Sequence, residues 1–127
     1  MKTLADLLGF IVTMLQAWPR CQAVRILETN QFAARQFAVK LRAELTSGAF
    51  LQIRLYRNEE HLDYAYQLVH NEWSVRWDNK EHFPSLRSYP HHFHGASGQV
   101  ETSPLTCEPL HDLPLVLNWL ADFFGQE

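Results

Sequence analysis

Four short runs of alternating residues decide the fold of this chain: FAVKLRAEL at residues 37–45, LQIRLY at 51–56, LDYAYQL at 62–68 and WSVRW at 73–77. In each run, apolar side chains occupy every second position, which is the spacing of a strand with one buried and one exposed face. Short polar connections separate the runs, and the first connection contains Gly48, which suits a hairpin loop. The pattern predicts an antiparallel meander over residues 36–79.

The lengths of the three connections predict a register for this meander. We expect Leu41 opposite Ile53, Ile53 opposite Tyr66, and Tyr66 opposite Val75. This register places all four apolar sets on one face of the sheet. On the polar face it predicts one row of Lys40, Arg54, Ala65 and Arg76. It also predicts a second row of Ala38, Tyr56, Asp63 and Asp78, with the two carboxylates directly opposed.

Helical periodicity flanks the predicted sheet on both sides. Apolar residues recur at helical spacing over residues 3–17 and again over residues 112–124. Residues 23–27 fit a short strand and a helical turn equally well, whereas residues 80–110 are rich in histidine and proline and show no period. We therefore expect a single α+β domain over residues 1–127. It contains an antiparallel sheet of four to five strands, a long loop over residues 80–110, and both helices packed on one face.

Length, charge and cysteine content restrict the class of protein. The chain has 127 residues, 46% of them hydrophobic, and a formal net charge of −3, so it is not a basic nucleic-acid coat. The charge is uneven, because residues 95–127 carry five acidic and no basic residues. Cys21 and Cys107 form neither a disulfide framework nor a metal knuckle, which favours a reduced, cytoplasmic setting. No run approaches the ~20 apolar residues of a membrane-spanning helix, so we expect no membrane partner.

The polar face of the sheet offers a phosphate-binding surface. Lys40, Arg54 and Arg76 form a line of cations with Tyr56 beside them, and such a line suits a phosphate backbone. A solvated face with cross-strand charge pairs is the structural alternative.

The histidines form a second group of candidates. On an extended segment, His92 and His94 point to one side and His91 to the other, while His82 lies upstream. An opposed Asp63–Asp78 pair would attract a protonated histidine and raise its pKa. Zinc needs three or four converging ligands, but the chain has no HExxH motif and no paired-ligand spacing. We therefore assign no metal and no cofactor.

The segment that contains these histidines also resembles a known protein family. The run Arg76–His82, then Pro84-Ser85-Leu86, then Tyr89–His94 resembles the TumE-type toxins, small bacterial proteins with an antiparallel sheet. The chain departs from that pattern at residues 80–83 and at Phe93. The resemblance implies a toxin that is encoded beside a DNA-binding antitoxin and is neutralised by it. It also points to Asn79 and His91, which stand in the matching motifs.

These observations favour the toxin component of a bacterial toxin–antitoxin pair, with metal-independent RNA cleavage as the candidate activity. The expected catalytic residues are Arg54, Asp78, His82, His92 and His94. The expected binding residues are Lys40, Tyr56, Arg76, Asn79 and His91. The expected partners are a helix-turn-helix antitoxin and RNA. Two alternatives stay open, namely a non-catalytic binding or inhibitor protein with structural histidines and a small metal-binding domain, and the oligomeric state is open as well.

Overall fold

The fold is a seven-stranded antiparallel sheet flanked by two helices, seen in a computed structural model that describes residues 3–125. The elements in chain order are α1 (Leu4–Ala17), β1 (Cys21–Ala33), β2 (Gln36–Leu45), β3 (Phe50–Asn58), β4 (His61–Val69), β5 (Ser74–Asp78), β6 (His92–His94), β7 (Val100–Thr102) and α2 (Pro109–Gly125). The strands lie in the sheet in the same order as in the chain, so each one pairs with its neighbours in sequence. The α+β class is confirmed, although the sheet has more strands than the four to five expected.

The first helix begins and ends where the sequence predicts. The Thr3 side chain accepts a hydrogen bond from the Asp6 N–H at 3.1 Å, which satisfies one of the free donors of the first turn. Leu7, Ile11 and Leu15 are buried, as their spacing predicts. The helix ends at Ala17, just before Trp18-Pro19.

The predicted register of β2, β3 and β4 is confirmed. Leu41 lies opposite Ile53 and Ile53 lies opposite Tyr66. The turn between β2 and β3 places Gly48 at a φ of 92°, a conformation that glycine adopts without strain. The turn between β3 and β4 consists of Glu59 and Glu60, since Asn58 lies opposite His61.

The predicted register of β4 and β5 is wrong by two residues. Tyr66 lies opposite Trp77 rather than Val75, and Gln67 rather than Ala65 lies opposite Arg76. The cause is the turn, which falls one residue later in the chain, so that the His70 N–H donates to the Trp73 carbonyl at 2.9 Å. Because side chains alternate with a period of two, this shift keeps every residue on its predicted face.

The new register also removes the predicted pair of opposed carboxylates. Asp78 lies opposite Ala65, and Asp63 lies opposite Tyr56. The like-charge contact proposed as the reason for a histidine to approach therefore does not form.

The structure also decides three points outside the predicted meander. Residues 23–27 belong to β1, a 13-residue edge strand whose pairing with β2 has three irregularities. The segment 80–110 is not one continuous loop, because it contains the three-residue strands β6 and β7. The second helix begins at Pro109, three residues before the predicted start.

The core lies between the sheet and the two helices, as expected. One cluster of buried residues includes the apolar faces of β2 to β5 together with Leu7 and Ile11 of α1 and Leu113 and Leu120 of α2. The opposite face of the sheet is therefore left for polar side chains, and it carries the candidate site.

In the described range, no helix is long and apolar enough to cross a bilayer.

Candidate active site on the polar face of the sheet

Two neighbouring rows of the polar face bring the candidate residues together. One row follows the strand pairing through Lys40, Arg54, Ala65, Asp78 and His92. The adjacent row contains Gln67, Arg76 and His94. The two rows lie side by side on β5 and β6, where they form one cluster of Asp78, His92, His94 and Arg76.

Asp78 lies at the centre of this cluster and is 3% exposed. Its Oδ2 accepts a hydrogen bond from Arg76 Nε at 2.8 Å, and its Oδ1 accepts one from the Lys80 backbone N–H at 2.9 Å. The His92 Nε2 lies 2.9 Å from the same Oδ1 atom. A buried carboxylate needs such partners, because an isolated charge in the interior is costly.

His92 is held from both sides and has almost no contact with solvent. Its ring is 1% exposed, and its Nδ1 lies 3.1 Å from the Pro90 carbonyl oxygen, which can only accept a hydrogen bond. The Phe83 ring packs edge-on against it, with 4.8 Å between ring centroids. In this conformation His92 cannot contact a large substrate directly, although its position next to Asp78 is the one expected.

His94 is the histidine of the cluster that solvent reaches, with 35% of its side chain exposed. Its Nε2 lies 3.7 Å from Asp78 Oδ2. Partial burial is the largest cause of a lowered His94 pKa, and the charges of His92, Arg76 and His82 lower this pKa further, while Asp78 opposes them. The expectation that a carboxylate pair raises a histidine pKa is therefore wrong for His94.

A cationic groove lies beside the cluster on the same face. The cavity has a volume of about 440 Å³, and its basic lining residues are Lys40, Arg54, Arg76 and Lys80. Tyr56 also lines the groove, where its hydroxyl accepts a hydrogen bond from Gln36 at 2.7 Å. The small side chain of Ala65 lies between Arg54 and Asp78 in the row, so it leaves space for a depression. Glu28 and Asp63 are the acidic groups of the lining, so the basic residues outnumber the acidic ones.

Comparison with known proteins assigns a family. A family model described as Toxin TumE matches residues 14–124, nearly the whole chain. The chain belongs to the TumE toxin family. No curated protein and no solved structure gives a match. Membership of a toxin family implies an antitoxin partner.

Two residues that the TumE resemblance pointed to contribute to the fold instead of the groove. The buried amide of Asn79 accepts from the Tyr64 N–H at 3.0 Å and donates to the Leu62 carbonyl at 2.8 Å, so it continues the pairing with β4. His91 lies on the core side, where its Nδ1 is 2.8 Å from the Tyr64 hydroxyl. Burial lowers the His91 pKa. Neither side chain points to the groove of this TumE-family protein.

Sequence reasoning overlooked three features of the TumE-family site. Lys80 contributes its backbone N–H to Asp78 and its side chain to the groove lining. Phe83 covers His92 and also contacts His94, with 5.9 Å between centroids. The Pro90 carbonyl orients the His92 ring. Almost every residue has the same backbone hydrogen-bonding groups, so the sequence carries no signal for the contacts of the Lys80 N–H and the Pro90 carbonyl.

Proposed function

We propose that this TumE-family toxin cleaves RNA by general acid–base catalysis that needs no metal ion. One observation carries the proposal: the Asp78 cluster, with the exposed ring of His94, lies beside a groove lined by four basic residues. Phosphate recognition and proton transfer are the two requirements of such a reaction, and here they share one face of the sheet.

The groove supplies the contacts for RNA. Lys40 and Arg54 form no ion pair with any residue in the described part of the chain, so their charges are available to phosphates. Contacts of this kind position a nucleic acid without reading its sequence. Tyr56 offers an aromatic ring beside them, which suits stacking with an unpaired base.

The cluster supplies the proton transfers. His94 Nε2 accepts the proton of a ribose 2′-hydroxyl, and the resulting oxygen attacks the adjacent phosphorus. The bond from phosphorus to the 5′-oxygen breaks, which gives a 2′,3′-cyclic phosphate and a 5′-hydroxyl. The 5′-oxygen takes its proton from His82, an exposed residue whose ring contacts Phe83, which in turn contacts His94. Arg54 and Arg76 stabilise the charge that develops on the phosphoryl oxygens. Asp78 and His92 act as positioning residues, because Asp78 accepts a hydrogen bond from Arg76 and His92 contacts Asp78.

Purified protein and a labelled single-stranded RNA test this proposal, with EDTA present throughout. We expect His94→Ala to lower the cleavage rate by about 100-fold or more, because general acid–base catalysis contributes that much. We expect Arg54→Ala to weaken RNA binding and cleavage. His61→Ala is the matched control for the histidine, since His61 is exposed and also lies 2.9 Å from a carboxylate. Arg87→Ala is the control for the arginine, since Arg87 is exposed and does not line the groove.

A growth assay with the same variants links the chemistry to toxicity. The wild-type chain and both controls arrest growth, and folded His94→Ala and Arg54→Ala variants do not. If folded His94→Ala and Arg54→Ala proteins arrest growth as the wild type does, the proposed site is wrong. The protein then acts as a non-catalytic inhibitor, in which the contacts of His91 with Tyr64 and of His92 with Pro90 are structural.

We further propose that the antitoxin is a helix-turn-helix protein whose basic surface is attracted to the acidic segment at residues 95–127. Residues 95–127 carry five acidic and no basic residues, whereas DNA-binding proteins present basic surfaces. Opposite charges of this kind speed the encounter of two partners.

A further inference from the structure

The His92 ring lies between two hydrogen-bond acceptors, one next to each of its nitrogen atoms. The Pro90 carbonyl oxygen lies 3.1 Å from Nδ1, and a carbonyl oxygen can only accept a hydrogen bond. On the other side of the ring, Nε2 lies 2.9 Å from Asp78 Oδ1, and a carboxylate oxygen is also an acceptor. With Nδ1–H directed at Pro90, the ring would offer Nε2 to a metal ion that Asp78 also binds, which is the usual arrangement of a ligating histidine.

His94 supplies a third donor atom at the same place. It stands two residues after His92 on β6, so the strand period places both rings on one side of the sheet. One ligand atom from each of Asp78, His92 and His94 lies within 4.8 Å of the others, and in the described residues this is the one such group of three. Tetrahedral zinc ligands with bonds of ~2.0–2.1 Å lie roughly 3.4 Å apart, so small side-chain rotations close the set.

The surroundings of the three residues match those of a metal site. A ligating histidine normally donates its other ring N–H to a carbonyl or carboxylate, and the Nδ1 of His92 lies 3.1 Å from the Pro90 carbonyl oxygen. Arg76 and the Lys80 N–H hold the carboxylate of Asp78 in the same outer shell. Asp78 and His92 are buried while His94 is partly exposed, so solvent and a dissolved ion reach the group from the side of His94.

We propose that Asp78, His92 and His94 form a three-ligand site for a divalent ion of the zinc class. The ion binds the carboxylate of Asp78 and the Nε2 atoms of His92 and His94. If the proposed RNA cleavage is correct, zinc therefore inhibits it, because the same nitrogen is then no longer free to accept a proton.

Binding is measured first, without any assay of activity. Calorimetry with Zn²⁺ and visible absorption with Co²⁺, both on the metal-free full-length protein, report the affinity and the geometry of the site. We expect one equivalent of ion to bind. His94→Ala, which changes a partly exposed residue, weakens binding by at least about tenfold, the lower bound for the loss of an outer-shell partner. Asp78→Asn gives a second test, since it removes the charge but keeps the shape of the side chain.

His61→Ala is the matched control, because His61 and Asp63 form a contact of the same 2.9 Å length, are both solvent-exposed, and have no third ligand among the described residues. Its zinc affinity stays at the wild-type value. The proposal is overturned if the wild-type protein binds no zinc, or if folded His94→Ala and Asp78→Asn variants bind it unchanged. Inhibition is measured separately on RNA. If zinc binds but leaves cleavage unchanged, the shared role of His94 is wrong, and if no cleavage occurs at all, the proposed function fails while the binding result stands.

Discussion

At the residue scale, Asp78 organises the polar face. Its two oxygens contact Arg76, His92 and the Lys80 backbone, and the carboxylate is almost completely buried. Asp63 is the useful comparison on the neighbouring strand, because its contact with His61 is equally short but 39% of its side chain is exposed. Burial rather than distance separates the two contacts, because solvent screens the second one.

This difference predicts unequal costs for removing the two carboxylates. Asp78→Ala leaves Arg76 and the buried His92 without their partner, so we expect it to lower the free energy of unfolding by about 3–5 kcal/mol. Asp63→Ala should cost no more than about 1 kcal/mol. Urea denaturation of both variants at pH 7 measures this difference. Equal costs would show that Asp78 does not organise the cluster.

Two tyrosines of β4 make a second matched pair. The Tyr66 hydroxyl is fully buried and has no hydrogen-bond partner among residues 3–125, whereas the Tyr64 hydroxyl lies 2.8 Å from His91. Tyr66→Phe removes an unsatisfied polar group, so we expect it to stabilise the protein by about 1 kcal/mol. Tyr64→Phe should destabilise it by a similar amount, because His91 loses its partner. Thermal unfolding of the two variants should therefore shift in opposite directions, and a common direction would refute the assignment.

At the scale of the element, β1 differs from the strands that follow it. Every residue from Arg25 to Ala33 is exposed, although the strand pairs with β2 along its length. Ile26 lies opposite the fully buried Leu41, yet 54% of it is exposed. The irregular pairing of β1 is of the kind that discourages further strands from joining an edge.

Two phenylalanines on adjacent strands test this description of β1. Phe32 is 59% exposed and Phe37 is 1% exposed. We expect Phe37→Ala to cost about 3–5 kcal/mol, the usual range for a buried aromatic residue. Phe32→Ala should cost less than about 1 kcal/mol, because it leaves no cavity. Chemical denaturation provides the comparison, and a cost for Phe32→Ala similar to that of Phe37→Ala would mean that β1 is covered in solution.

At the scale of the whole molecule, acidic residues are concentrated in one segment of the chain, which matters for binding of the antitoxin. The acidic residues Glu101, Glu108 and Asp122 are exposed and lie in the segment that carries no basic residue. The polar face has the opposite character, since basic residues predominate in its groove. One molecule thus offers a basic surface to RNA and an acidic segment to a basic partner.

Co-expression with the adjacent antitoxin gene tests the acidic segment. We expect a complex that stays together during size-exclusion chromatography at low salt. Neutralising the three exposed acids, as Glu101→Gln, Glu108→Gln and Asp122→Asn, should slow association by about tenfold or more, because steering depends on charge. Surface plasmon resonance at two salt concentrations measures this rate. Separate elution of the two proteins at low salt would contradict the pairing.

The sequence by itself determined the elements whose pattern is long enough to show a period. The alternation over residues 37–68 settled β2, β3 and β4, their register and their buried face, because a strand exposes every second side chain. The same period placed His92 and His94 on one side and His91 on the other. The row from Lys40 to Arg54 followed from the register, and the motifs around Asp78 and His92 indicated the toxin family that the comparison assigns.

The tertiary structure alone decided the features that depend on contacts between distant segments. Strands of three residues, such as β6 and β7, are too short to show a period, so their place beside β5 could not be inferred. The register of β4 and β5 depends on where a turn closes, and the observed register lays Trp77 against Trp119 of α2, with 5.2 Å between ring centroids. The burial of His92 and the partners of Asp78 follow from this packing, because sequence spacing gives the direction of a side chain but not what covers it.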